Sequence, residues 1–149
     1  MGNAAITYPK TRYTTPASPP PDFTSKRERE RLSAAALKAF FNIIERWSIR
    51  DEDARELLGG VSNGPYYQMK KSQAGRTLSA DELFRIYYLI GIFKALNTFH
   101  GQELADRWVR LANSNRIFSG RTPLEFMKKG GQQAMEIVRD LLEARIQGK

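Results

Sequence analysis

The sequence contains no cysteine in 149 residues and a single histidine. Without cysteine there is no disulfide, no thiolate metal site and no cysteine nucleophile, a composition at home in a reducing cytosol. The lone His100 sits in "TFHGQ", between two helical patterns, where a cap or surface role is the ordinary reading. With no histidine pair and no cysteine, a transition-metal site of ordinary spacing has no ligands. The phosphate-cradling patterns GxxxxGK[ST] and GxGxxG do not occur. The chain is therefore expected to be no enzyme and to need no cofactor and no metal. No apolar run approaches the ~18 residues of a membrane span, and the first residues lack the apolar centre of a signal peptide. The opening Met1-Gly2-Asn3-Ala4-Ala5-Ile6 resembles a myristoylation signal, but Ile6 stands where serine or threonine is required. A soluble, cytoplasmic protein with no membrane partner is expected.

Acidic charge is in short supply: 16 Asp and Glu face 24 Lys and Arg, for a net charge of +8. A balance of that size draws polyanions, nucleic acid first, and is equally compatible with an acidic protein partner. The hydrophobic content of 41%, with 11% aromatic, is enough for a core and excludes global disorder. Such a length favours one domain, or two very small ones sharing a core. Four of the seven prolines stand at Pro16, Pro19, Pro20 and Pro21, inside "TTPASPPPDFT". That segment reads as an extended, solvated arm. The charge-alternating "SKRERERL" after it reads as a solvated face, so the arm is set at residues 1–30.

From there the pattern is helix after helix. "LSAAALKAFFNIIERWSI" places Leu37, Phe40, Phe41, Ile44 and Trp47 on one stripe behind a Ser33 cap. "RDEDARELLGG" begins with three acids that suit the positive end of a helix and stops at Gly59 or Gly60. "VSNGPYYQMKK" restarts with Ser62 or Asn63 as cap and Pro65 in the first turn. In "TLSADELFRIYYLIGIFKALNTFHG", Ser79 and Glu82 form a capping box, and Leu83, Ile86, Ile90, Phe93 and Leu96 give a long buried face. "QELADRWVRLAN" aligns Leu104, Trp108 and Leu111. A short helix in "GRTPLEFMKKGG" and a last one in "QQAMEIVRDLLEARI" follow. There is no alternating strand pattern and no internal repeat, so the fold class is all-α.

Two constellations stand out. The first is helix, "LLGGVSNG", helix, the frame of a helix-turn-helix whose second helix enters the DNA major groove. From Asn63 to Arg76 the chain has basic residues and no acidic ones, which suits a phosphate surface. The candidate DNA contacts are Ser62, Asn63, Tyr66, Tyr67, Gln68, Lys70, Lys71 and Arg76, with the Asn63 and Gln68 amides able to read adenine edges. The second is "GRTPLEFMKKGG". Thr122 is an N-cap, Pro123 the first helical residue, and Glu125 closes a capping box. Leu124, Phe126 and Met127 face the core, and Gly130-Gly131 stop the helix. It is a corner that aims the final helix and tail, in our reading away from the bundle and toward a partner. On that helix Met135, Val138, Leu141, Leu142 and Ile146 form one apolar face, which either completes the core or awaits a partner.

"DELFRIYYLIGIFKALNTF", "ADRWVRLANSNRIFSGRTPLEFMKKGG" and "VRDLLEARIQGK", in that order, resemble the Xre/MbcA/ParS antitoxins of toxin–antitoxin systems. The residues carrying the likeness are Arg85-Ile86, Trp108, Asn113 to Asn115, Gly120, Thr122, Pro123 and Leu124, and Val138, Arg139 and Leu142. The similarity runs over about residues 33 to 149, with a helix-turn-helix bundle at 31–97 and a C-terminal toxin-binding region at 98–149. The resemblance implies a RES-domain toxin partner, one that consumes NAD or transfers its ADP-ribose. It also implies that the antitoxin's C-terminal end lies in or over that toxin's NAD pocket. Carried onto this chain, the toxin contacts are Val138, Arg139, Leu142, Arg145, Ile146, Gln147, Gly148 and Lys149. Operator DNA is the second implied partner, read by a homodimer spanning two half-sites. The alternative is a helix-turn-helix repressor whose C-terminal helices serve dimerisation only.

Overall fold

A computed structural model describes residues 21–73 and 76–148. The proline-rich residues 1–20, with the myristoylation-like start, and Lys149 lie outside it. The described residues are all-helical. They form α1 (Lys26–Arg46), α2 (Asp51–Leu57), α3 (Asn63–Lys71), α4 (Ala80–Phe99), α5 (Gln102–Arg107) and α6 (Pro123–Ile146), with 3₁₀ turns at Trp108–Arg110 and Arg116–Phe118.

α1 starts earlier than the sequence suggested. Ser25 is its cap, accepting the Glu28 N–H at 3.2 Å. Just before it, the Phe23 ring is buried edge-on to Phe84, with centroids 4.8 Å apart. Arg29 Nη1 donates to the Phe23 and Thr24 carbonyls at 3.0 Å each. Residues 23–30 therefore belong to the folded chain and not to the arm expected through residue 30. Ser33 is no cap. It is buried inside the helix, where its Oγ accepts the Leu78 N–H at 2.8 Å and ties α1 to the segment that leads into α4. The stripe behind it holds: Leu37, Phe40, Phe41, Ile44 and Trp47 are all buried.

α4 is the centre of the bundle, packed on α1 along one side and on α6 along the other. Its capping box is formed as expected, Ser79 Oγ accepting from Glu82 N–H at 3.1 Å and Glu82 accepting from Ser79 N–H at 2.9 Å. One apolar face does not describe it. Leu83, Ile86 and Leu96 are buried, Ile90 and Phe93 half-buried, and Tyr88, Leu89, Ile92 and Ala95 are buried as well. A helix covered on two sides must be apolar nearly all round.

The aligned Leu104, Trp108 and Leu111 separate. α5 ends at Arg107 and tightens into a 3₁₀ turn, where three residues per turn break the three-four spacing. Trp108 and Val109 turn inward, while Leu104 and Leu111 stay 42% and 36% exposed.

The corner follows. Thr122 Oγ1 accepts from Glu125 N–H at 3.1 Å and the Glu125 carboxylate accepts from Thr122 N–H at 3.0 Å, completing the box. Pro123, Leu124 and Met127 are buried. The helix breaks at Gly131, with φ 65° and ψ −145°, then resumes to Ile146. Beyond the break Ala134, Met135, Val138 and Leu142 are buried, and the segment packs along α4. The corner thus folds the last helix into the core, not away from the bundle as expected. Those four side chains lie on one stripe that α4 covers.

Candidate functional site

The helix-turn-helix pair is α2 and α3. α2 begins with Asp51, Glu52 and Asp53 at the positive end of its dipole, and its exit passes through Gly59 (φ 105°) and Gly60 (φ 87°). α3 begins at Asn63 with Ser62 in the cap position, and no side chain caps it. The two helices are joined by the Asp51 carboxylate. It accepts from the Tyr66 hydroxyl at 2.8 Å, the Tyr67 hydroxyl at 3.2 Å and Lys70 Nζ at 2.8 Å. The bonds from Lys70 and Tyr66 hold the Asp51 carboxyl below its ordinary value. Burial, and then the hydrogen bond to Asp51, push the Tyr66 phenol up.

Of the residues offered as DNA contacts, Ser62, Asn63, Tyr67, Gln68, Lys70, Lys71 and Arg76 are exposed. Tyr66 is not: it is fully buried, edge-on to Phe41 at 5.6 Å. Its place is in the wall between α1 and α3, and it positions the helix without touching anything outside. Tyr67 and Lys70 reach the surface with their polar ends held by Asp51, while Ser62, Asn63, Gln68, Lys71 and Arg76 are exposed beside them.

At the other end, the tail residues divide by depth. Val138 and Leu142 are fully buried and offer no surface in this conformation; they anchor the helix. Arg139 reaches over two rings of α4, its guanidinium carbon 5.6 Å from the Tyr87 centroid and 5.0 Å from that of Tyr88. Its Nη2 pairs with Asp140 at 3.1 Å. Arg145 and Ile146 are exposed, Gln147 is half-buried and Gly148 is exposed at the helix exit. Sequence reasoning missed Leu104, Leu111 and Ile137 as surface apolar residues; Ile137 is 41% exposed. The periodicity that predicts burial cannot say which face already has a neighbour.

The two ends are fastened together. Lys128, in the first half of α6, pairs with the buried Asp53 of α2 and with Glu56 at 3.3 Å. Burial works to raise the Asp53 carboxyl, but the bonds from Lys128 and Arg50 outweigh it and the net shift is downward. Arg85 of α4 pairs with Asp81 at 2.8 Å and donates to the Leu57 carbonyl at 3.3 Å. Gly131 is where this guanidinium passes: a Cβ there would stand 3.2 Å from Arg85 Nη2. Among the described residues no group of His, Cys, Asp and Glu can hold a metal ion. His100 follows α4 as its cap and leans on Phe99. Among the same residues no helix is long and apolar enough to cross a membrane.

Comparison with known proteins agrees with this division. Residues 26–91 match the model of the antitoxin Xre-like helix-turn-helix domain. Residues 94–148 match that of the antitoxin Xre/MbcA/ParS C-terminal toxin-binding domain. Neither is a family of enzymes. The uncharacterized protein y4oB of Sinorhizobium fredii is 37% identical over 112 residues, which cover 74% of this chain and 84% of that protein. No solved structure matches significantly. Two antitoxin domains, matched in order along helices that share one core, place the chain in the Xre/MbcA/ParS family: it is an antitoxin of a toxin–antitoxin system, with a helix-turn-helix and a toxin-binding domain.

Proposed function

We propose that this antitoxin neutralises a RES-domain toxin, one that consumes NAD or transfers ADP-ribose, by laying its C-terminal end over the toxin's NAD pocket. The observation that carries the reading is the division of α6 by depth. Val138 and Leu142 fix the helix to the core, while Arg145, Ile146 and Gly148 stand exposed at its end. A short exposed end on a stem anchored by buried residues can reach into a partner's pocket without disturbing the core that carries it. Occlusion of this kind needs no catalytic group on the antitoxin. The test is the NAD turnover of a purified RES toxin with the full chain and with a chain ending at Ala144. That truncation spares the buried Leu142, so the fold persists. The full chain is expected to inhibit at equal stoichiometry and the truncated one to bind without inhibiting. Full inhibition by the truncated chain would sink the reading.

A second role rests on α3. Its exposed Asn63, Gln68 and Lys71, on a stretch without acids, suit an operator bound in the cytoplasm by a homodimer, each copy reading one half-site. Repression of its own operon fits beside toxin binding. In the narrower version, the C-terminal helices only dimerise a repressor. That version requires operator binding and no toxin binding by the same purified chain.

A further inference from the structure

Between α4 and the end of α6 runs an open groove of about 330 Å³, lined by Tyr87, Ile90, Lys94, Thr98, Arg139 and Ile146 among others. Its floor is apolar, from Ile90, Ala95 and Ile146, and Lys94 stands exposed on its rim. Arg139 supplies a second cation. Its guanidinium carbon lies over the Tyr87 and Tyr88 rings, and on its edge Nη2 is already taken by Asp140. One donor on that edge, Nε, is buried with no hydrogen-bond partner, the Glu143 carboxylate standing 4.0 Å away. Gly91 lets the arginine take this course, since a Cβ at that position would come within 2.8 Å of Arg139 Cδ.

We propose that this groove is a second contact with the toxin, adjoining the tail at Ile146, and that it takes a toxin segment bearing an apolar side chain next to a carboxylate. The apolar side chain fills the floor between Ile90 and Ile146, and the carboxylate meets Lys94 and Arg139. Two observations favour the toxin as occupant. Lys94, Thr98, Arg139 and Ile146 all fall within the residues matched by the toxin-binding family model. The groove also runs into Ile146, the last helical residue before the exposed tail, so a molecule engaging the tail passes over it. The inference rests on the toxin-neutralising reading and adds a site where affinity is set apart from occlusion.

The test measures the Kd of the full chain for a purified RES-domain toxin at two salt concentrations. Lys94→Glu, at an exposed position that leaves the core alone, is expected to weaken binding about tenfold or more, with the loss shrinking as salt rises. Gly91→Ala, which displaces Arg139 and keeps its charge, is expected to weaken binding as well. Lys38→Glu, an equal charge change on an exposed position of α1, is expected to leave it within about twofold. Wild-type affinity for both groove variants overturns the inference; if the chain ending at Ala144 has meanwhile lost inhibition, the tail reading still stands. A change in the antitoxin's own association state on Lys94→Glu, without change in toxin affinity, also overturns it and assigns the groove to a second copy. A full chain that binds no RES toxin sinks both readings together.

Discussion

Asp53 shows how much one side chain can hold. It is buried, one of two buried polar side chains among the described residues, and joins α2 to α6 through Lys128 and to the preceding loop through Arg50. Burial alone would favour the protonated acid, yet the two cations keep the carboxyl below its ordinary value. A carboxyl depressed in the folded state contributes stability that is present above its unfolded value and is lost as pH falls through the folded one. Stability to urea is therefore expected to decline as pH drops below about 5, and Asp53→Asn to make that decline shallower. At neutral pH the same change leaves Lys128 poorly paired, at a loss of about 1–3 kcal/mol. Unfolding midpoints across a pH series read both; an unchanged acid slope would remove Asp53 from the account. Gly131 is a second such residue. Its φ of 65° with ψ of −145° lies where side-chain-bearing residues pay heavily, and an added Cβ would crowd Arg85. Gly131→Ala is expected to destabilise by about 1–3 kcal/mol, measured by thermal unfolding. A loss below a few tenths would show that the break can straighten.

At the scale of the element, what could be read from the sequence was what neighbours along the chain decide. Both capping boxes, Ser79 with Glu82 and Thr122 with Glu125, formed as written, because donor and acceptor lie three residues apart. The glycine exit of α2 and the break at Gly131 were legible for the same reason. What failed depends on contacts across the fold. Ser33 resembles a cap until the Leu78 N–H, 45 residues on, takes its hydroxyl. The acids of α2 look like a dipole motif, and only Lys128 turns Asp53 into a buried tie. The direction of the last helix was misread because an apolar stripe is the same whether α4 or a toxin covers it. Of the candidate contacts, Tyr66, Val138 and Leu142 proved to be core. The Thr122 box offers a local test of a corner on which the placement of α6 depends. Thr122→Ala is expected to cost about 1 kcal/mol, lowering Tm by about 2–8 °C. An unshifted Tm would mean that Pro123 and the buried Leu124 hold the corner without it.

For the whole molecule, the question is whether two matched domains are two folding units. The packing argues for one. The hydrophobic core is a single cluster running from Phe23 to Leu142. α4 lends one side to α1 and the other to α6, while Lys128 and Gln132 cross from the toxin-binding to the helix-turn-helix segment, to Asp53 and Asp81. Removing either α1 or α6 would bare one side of α4. Neither half keeps a closed core alone, so they are expected to unfold together. The chain has its own reporters, since one of its two tryptophans stands in each segment: Trp47 after α1 and Trp108 after α5, both buried. Trp108→Phe leaves fluorescence from the first segment only, and Trp47→Phe from the second only. Within each variant, the tryptophan transition in urea is expected to coincide with the loss of helix by circular dichroism. A midpoint for Trp108 clearly below that of the helical signal would mean that the toxin-binding segment opens first. The antitoxin would then possess a state in which α6 is free to leave α4 and Val138 and Leu142 become available to a partner. Coincident transitions instead restrict the partner's contacts to what the folded surface presents, the tail and the α4–α6 groove.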